Sequence, residues 1–197
     1  MLKNILLILI VCFSLFSCGE ESLVVPKPRA YPRINFPEKE YQAFDKDYCQ
    51  FTFEYPAYAK IVQDTSFFDE LPVDPCWFDI YYPDFDGRIH CSYRPIDKEN
   101  PLEKLKQEAF KMANWHNKRA NYIEEILIQK PNKVSGFAFD MKGPTASPFQ
   151  FYLTDSTTHF FRASLYFNTQ VQPDSLAPVY EFVKGDILKM IETFEWN

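Results

Sequence analysis

Glycine is scarce here, with five residues among 197. That excludes a flexible low-complexity chain and leaves no glycine-rich loop to cradle a phosphate. Histidine occurs three times, and no C-x-x-C or H-x-x-x-H spacing sets out metal ligands. No G-x-S-x-G motif supplies a nucleophile elbow. Basic stretches are missing as well: 21 Lys and Arg stand against 27 Asp and Glu, a net charge of −6. Such a balance argues against nucleic acid as a partner and against a polybasic membrane contact. No apolar run reaches the roughly 20 residues that a membrane-spanning helix needs.

Aromatic residues are abundant, with 20 Phe, 12 Tyr and 3 Trp. They are enough to build a sizeable core. The main apolar run, Ile5 to Phe16, follows Lys3 and precedes Leu15-Phe16-Ser17-Cys18. A short basic start, an apolar stretch and a small residue before the cut describe an export signal. A cut directly before cysteine is the bacterial lipoprotein pattern. Residues 1–17 are therefore expected to be a leader, with Cys18 carrying the lipid that holds the protein to a membrane. Gly19-Glu20-Glu21 has no aspartate directly after the cysteine. That favours the outer membrane, on its periplasmic side. Cys12 leaves with the leader, so Cys49, Cys76 and Cys91 remain in a compartment that permits disulfides, with three pairings open.

Residues 18–47 read as a proline-rich tether. Pro26, Pro28, Pro32 and Pro37 favour extended chain. The interleaved Arg29, Tyr31, Arg33, Ile34 and Phe36 suit a strap packed along the domain edge, with a peptide-like epitope for a partner as the alternative. A single domain is expected over 48–197. Cys49, Phe51, Phe53 and Tyr55 alternate with polar residues, a strand ended by Pro56. Strands follow at 58–62, 77–82 and 88–94, the last two joined by a turn at Asp86-Gly87. Asn100 and Pro101 open a helix to about Lys118, with Leu102, Leu105, Ala109 and Met112 on its stripe. Four more strands read at 122–129, 134–141, 149–154 and 159–167. Ser175 then caps a second helix that ends near Phe194. Short turns between neighbours require antiparallel pairing, so the fold class is α+β. The element order resembles the Mog1/PsbP-type α/β/α sandwich, an antiparallel sheet flanked by two main helices.

No catalytic group stands out. Asp155, Ser156 and His159 cluster at a hairpin turn, where Asp and Ser serve the backbone. His116 follows the apolar stripe of the first helix and reads as a core or interface histidine. His90 shares a strand face with Ser92 and Arg94. On the last strand, Phe161, Ala163, Leu165 and Phe167 make a core face. Phe160, Arg162, Ser164 and Tyr166 make the other, beside Gln150 and Tyr152. An arginine among tyrosines is typical of recognition surfaces. The plainer alternative is that a helix covers this face and an acid pairs Arg162. Arg162, Tyr166, Gln150 and His90 are the candidate partner-binding residues. Neither a metal nor a cofactor is expected.

Several stretches together resemble the gliding motility lipoprotein GldD family of Bacteroidetes. They are Pro26-Lys27-Pro28-Arg29-Ala30-Tyr31, Cys49 to Pro56, Pro75-Cys76-Trp77-Phe78, Ile89 to Tyr93, Gly143 to Ser156, His159 to Phe167, and Glu192-Thr193-Phe194-Glu195-Trp196. The resemblance implies an envelope lipoprotein required for gliding, with partners among the envelope proteins of the gliding and type IX secretion machinery. It implies no enzymatic activity and a non-catalytic assembly or stabilising role. It also implies a Cys49–Cys76 bridge, leaving Cys91 as a small core hydrophobe. A periplasmic enzyme, or a ligand-binding lipoprotein acting on envelope glycan, is the rival reading.

Overall fold

A computed structural model describes residues 33–63, 74–169 and 172–197. The expected leader, Cys18 and the first half of the tether, to residue 32, lie outside the described residues.

The described residues form ten strands and two long helices. The strands are β1 (Tyr41–Asp45), β2 (Phe51–Pro56), β3 (Lys60–Gln63), β4 (Phe78–Tyr82), β5 (Gly87–Pro95), β6 (Tyr122–Gln129), β7 (Ser135–Lys142), β8 (Phe149–Thr154), β9 (His159–Phe167) and β10 (Glu195–Trp196). The helices are α1 (Leu102–Trp115) and α2 (Pro173–Thr193). All the strand pairs are antiparallel. Seven strands form one sheet in the order β3-β4-β5-β9-β8-β7-β6, and β1-β2-β10 form a small second sheet. The antiparallel α+β class read from the pattern is what the chain adopts.

Each face of the large sheet has its own cover. On one side Ile80, Ile89, Cys91, Phe151, Phe161 and Leu165 meet the small sheet and α2, through Phe44, Phe51, Phe53, Val183, Ile187 and Phe194. On the other, Phe139, Met141, Tyr152 and Phe160 meet Leu105, Ala109 and Ala113 of α1. With both faces covered, every residue of β8 is buried. Gly136 shows how tightly the sheet is drawn together. A Cβ there would lie 1.8 Å from the Tyr152 carbonyl oxygen on the adjacent strand.

Two elements went unforeseen. β1 lies inside the stretch read as tether, and β10 is only two residues long. Strand β1 has no alternation strong enough to announce itself, with only Phe44 buried. It exists because β2 supplies a partner edge. The strap ahead of it does dock: Phe36 stacks on Phe182 at 4.5 Å, and Lys39 reaches Asp186 at 3.0 Å.

Both expected N-caps are displaced. Pro101 occupies the α1 cap and offers no side-chain acceptor, so Asn100 is not the cap. Asp97 Oδ1 instead accepts from the Glu99 and Asn100 N–H groups and organises the approach. The α2 cap is Gln172, with Pro173 following it, and Ser175 falls inside the first turn. The pre-set φ of proline moves the start upstream of the serine.

Candidate functional site

The α1 helix spans only part of its face of the sheet. It covers β7, β8 and the start of β9, while the outward residues of β4, β5 and the rest of β9 stay clear of it. The result is a groove of about 590 Å³ between α1 and the sheet. That is the size of an ordinary ligand or peptide pocket. Trp77, Leu105, Met112 and Phe160 give it apolar walls, and His90, Arg94, Arg162 and Tyr166 give it polar ones.

Strand register places the polar groups. The β4–β5 hairpin sets Asp79 opposite His90. The β5–β9 ladder sets Ser92 opposite Arg162 and Arg88 opposite Tyr166. His90 Nδ1 lies 2.6 Å from Asp79 Oδ1, and Arg88 donates to Asp79 Oδ2 at 3.1 Å. Burial alone would raise the Asp79 carboxyl, but the hydrogen bonds and charges of His90 and Arg88 hold it below the usual carboxylate value. An ionised carboxylate only accepts, so Nδ1 directs a proton at Asp79. The His90 ring meets Tyr166 edge-on at 5.4 Å.

Arg162 sits deeper. Its Nη2 donates to Gln150 Oε1 at 3.3 Å and to Ser164 Oγ at 3.4 Å, and it forms no ion pair among the described residues. Burial lowers its pKa and Arg94 adds to this, while Tyr166 and Glu108 oppose it. The guanidinium nevertheless keeps its proton. Arg94 is loosely matched by Glu108 at 3.8 Å. Gln150 is 2% exposed and stands behind Arg162 rather than on the groove wall. The structure thus gathers Arg162, Tyr166 and His90 on one groove, with Gln150 as a support. The helix expected over this face covers only part of it, and among the described residues no acid pairs Arg162.

His116 ends α1 as a partly buried residue, its pKa lowered by burial and by nearby Arg162. The Asp155 cluster is spent on its turn. Asp155 Oδ1 accepts from the Thr157, Thr158 and His159 N–H groups, and Ser156 adopts a φ of 69°. His159 bonds the Tyr93 hydroxyl at 2.7 Å and stacks on Trp196. Among the described residues no group of three or more His, Cys, Asp or Glu is placed to hold a metal.

Sequence reasoning passed over Asp79, Met112 and Trp115 as site residues. Asp79 was legible by counting back from the Asp86-Gly87 turn. Trp115 falls off the apolar stripe of α1 and is 70% exposed, beside Met112 at 43%.

The model of the gliding motility lipoprotein GldD family matches residues 21–196. The chain belongs to that family. It is thus a membrane-anchored envelope protein of a gliding motility family, and among the described residues no helix is long and apolar enough to cross a membrane. Comparison with curated proteins finds no match. Among solved structures the chain is similar to the solution structure of cyanobacterial PsbP (CyanoP) from Synechocystis sp. PCC 6803. That likeness has 10% identity and a TM-score of 0.49, over 84% of this chain and 98% of the other.

Cys49 and Cys76 are joined in a disulfide with Cα atoms 5.5 Å apart, and Cys91 is free and buried. Burial pushes the Cys91 thiol well above its ordinary pKa, which makes it a hydrophobe rather than a nucleophile.

Proposed function

We propose that this chain is a lipid-anchored, non-catalytic assembly or stabilising factor of the gliding and type IX secretion machinery. Cys18 tethers it to the outer membrane on the periplasmic side, the proline-rich segment spaces it, and an envelope protein docks at the α1 groove. The observation that carries this reading is the groove itself. It pairs a polar floor of Arg162, His90 and Tyr166 with the exposed Met112 on its wall, and Trp115 follows one helical turn later on α1. Aromatic and arginine anchors in a partly desolvated pocket are the usual centre of a protein interface. Bound contacts there would favour the partner's folded state by mass action.

The test is Arg162→Glu, with Met112→Glu as a variant that leaves the sheet untouched. Both should abolish colony spreading at normal protein abundance. Loss of abundance in step with spreading, for both variants, would assign the groove to folding. A Cys18→Ala form that restores spreading to a deletion strain would remove the anchor from the reading.

The His90–Asp79 pair favours a second reading, a periplasmic enzyme or a ligand-binding lipoprotein acting on envelope glycan. A histidine oriented by a carboxylate is the usual form of a general base. Under that reading His90→Gln changes glycan turnover or glycan binding; under the first, glycan is untouched.

A further inference from the structure

The groove holds more cationic charge and more hydrogen-bond donors than it can satisfy. Three arginines face it or flank it. Arg88 is committed to Asp79 and packs on Tyr81, its guanidinium 4.4 Å from the ring centre. Arg94 is matched by Glu108 and packs over Trp77. Both groove acids are thereby used, and Arg162 is left over. A guanidinium carries five N–H donors, and Arg162 spends one nitrogen on two long hydrogen bonds. Next to it, the buried Gln150 Nε2 has no hydrogen-bond partner among the described residues. A partly buried cation without an anion is costly. That cost falls if a carboxylate enters the groove and meets Arg162.

The walls around this point are apolar. Leu105, Phe160 and Met112 lie on the α1 side, and Trp77 closes the far side. One helical turn beyond Met112 on α1, Trp115 is 70% exposed, with Lys118 Nζ 4.9 Å from its ring centre. A free metabolite would fill the cavity and leave that tryptophan in water. A polypeptide would use both.

We propose that the α1 groove receives an Asp or Glu side chain of a partner protein segment, flanked by apolar residues, with Arg162 as the receiving cation. This rests on the docking reading above and names the chemistry that docks. Gln150 is a positioning residue: it holds the guanidinium from behind and orients it toward the groove.

The decisive variant is Gln150→Glu. It places a carboxylate where Gln150 Oε1 now stands, 3.3 Å from the Arg162 guanidinium, and so satisfies the cation internally. Binding should fall while the fold keeps or gains thermal stability. A benzophenone amino acid at Trp115 of the full-length lipoprotein, photolysed in living cells, reports occupancy. The expected adduct maps to an envelope-protein segment with an Asp or Glu within a few residues of the attachment point. Changing that acid to its amide, or introducing Gln150→Glu, should each lower the yield by at least about tenfold.

An adduct yield unchanged by Gln150→Glu at full stability would overturn the proposal, as would a mapped segment without an acid. Native mass spectrometry of the full chain that found a small carboxylate, lost in Gln150→Glu, would also overturn it in favour of a metabolite. If Gln150→Glu leaves the yield intact while Met112→Glu still stops spreading, only the acidic anchor falls and the docking groove stands. If Met112→Glu is also harmless, the docking reading itself falls.

Discussion

Single positions in this chain divide into those that cannot yield and those that can. Gly136 and Gly185 make the contrast. A methyl at Gly136 would meet fixed backbone at 1.8 Å, whereas at Gly185 it would meet only the tip of Lys39 at 2.5 Å. Gly136→Ala should cost about 2–4 kcal/mol in urea unfolding, because two strands must separate. Gly185→Ala should stay within about 1 kcal/mol of the parent, since alanine's helix propensity offsets the shift of a flexible lysine. Asp155 gives a pH prediction. Burial would raise its carboxyl, but hydrogen bonds from His159, Thr157 and Thr158 hold it well below the usual carboxylate range. A depressed acid stabilises the fold above its unfolded pKa of about 4, and that contribution is lost as pH falls below it. The stability advantage of the parent over Asp155→Ala, measured by urea midpoints, should therefore shrink between about pH 6 and pH 3.

The elements are held by long-range polar ties that no local pattern announces. Asp186, on α2 and 1% exposed, accepts from the Tyr41 hydroxyl at 2.9 Å and the Tyr58 hydroxyl at 2.6 Å, and pairs with Lys39. Burial and that carboxylate push both tyrosine hydroxyls well above their usual pKa. One aspartate thus fastens the strap and β1 to the helix. Asp186→Ala should cost about 2–4 kcal/mol, since three donors lose their acceptor. Hydrogen exchange should then accelerate in β1 while β9 stays protected. The other end of α2 is closed by Lys130, whose Nζ donates to the carbonyls of Ile191, Glu192 and Phe194. A lysine just after β6 thereby does the work of a C-cap.

For the molecule as a whole, the disulfide links the start of β2 to the start of β4 across a separation of 27 residues. A loop of that length corresponds to about 3.5 kcal/mol of restrained chain entropy. Unfolding in the presence of a reductant should lower stability by about that amount while Cys91 stays inaccessible to alkylation in the folded state. Groove and disulfide lie on one layered body. The second sheet and α2 pack across one face of the large sheet, and the shorter helix α1 covers only part of the other.

The sequence by itself determined eight of the strands, both helices and the antiparallel class. Period-two and period-3.6 patterns record which face meets the core, and the short turns between strands leave only antiparallel pairing. It also marked His90 on the polar face of one strand and Arg162 with Tyr166 on that of another; the β5–β9 register is what brings them together. Strand β1 and the two-residue β10 escaped, because each depends on an edge supplied from elsewhere in the chain. The Asp186 and Lys130 ties escaped for the same reason, since each partner lies at least 61 residues away. Only the tertiary structure decided that α1 stops short of β4 and β5. Sheet width and helix placement are properties of the packed layers, and from them came the groove, the unpaired Arg162 and the neighbouring exposed Trp115.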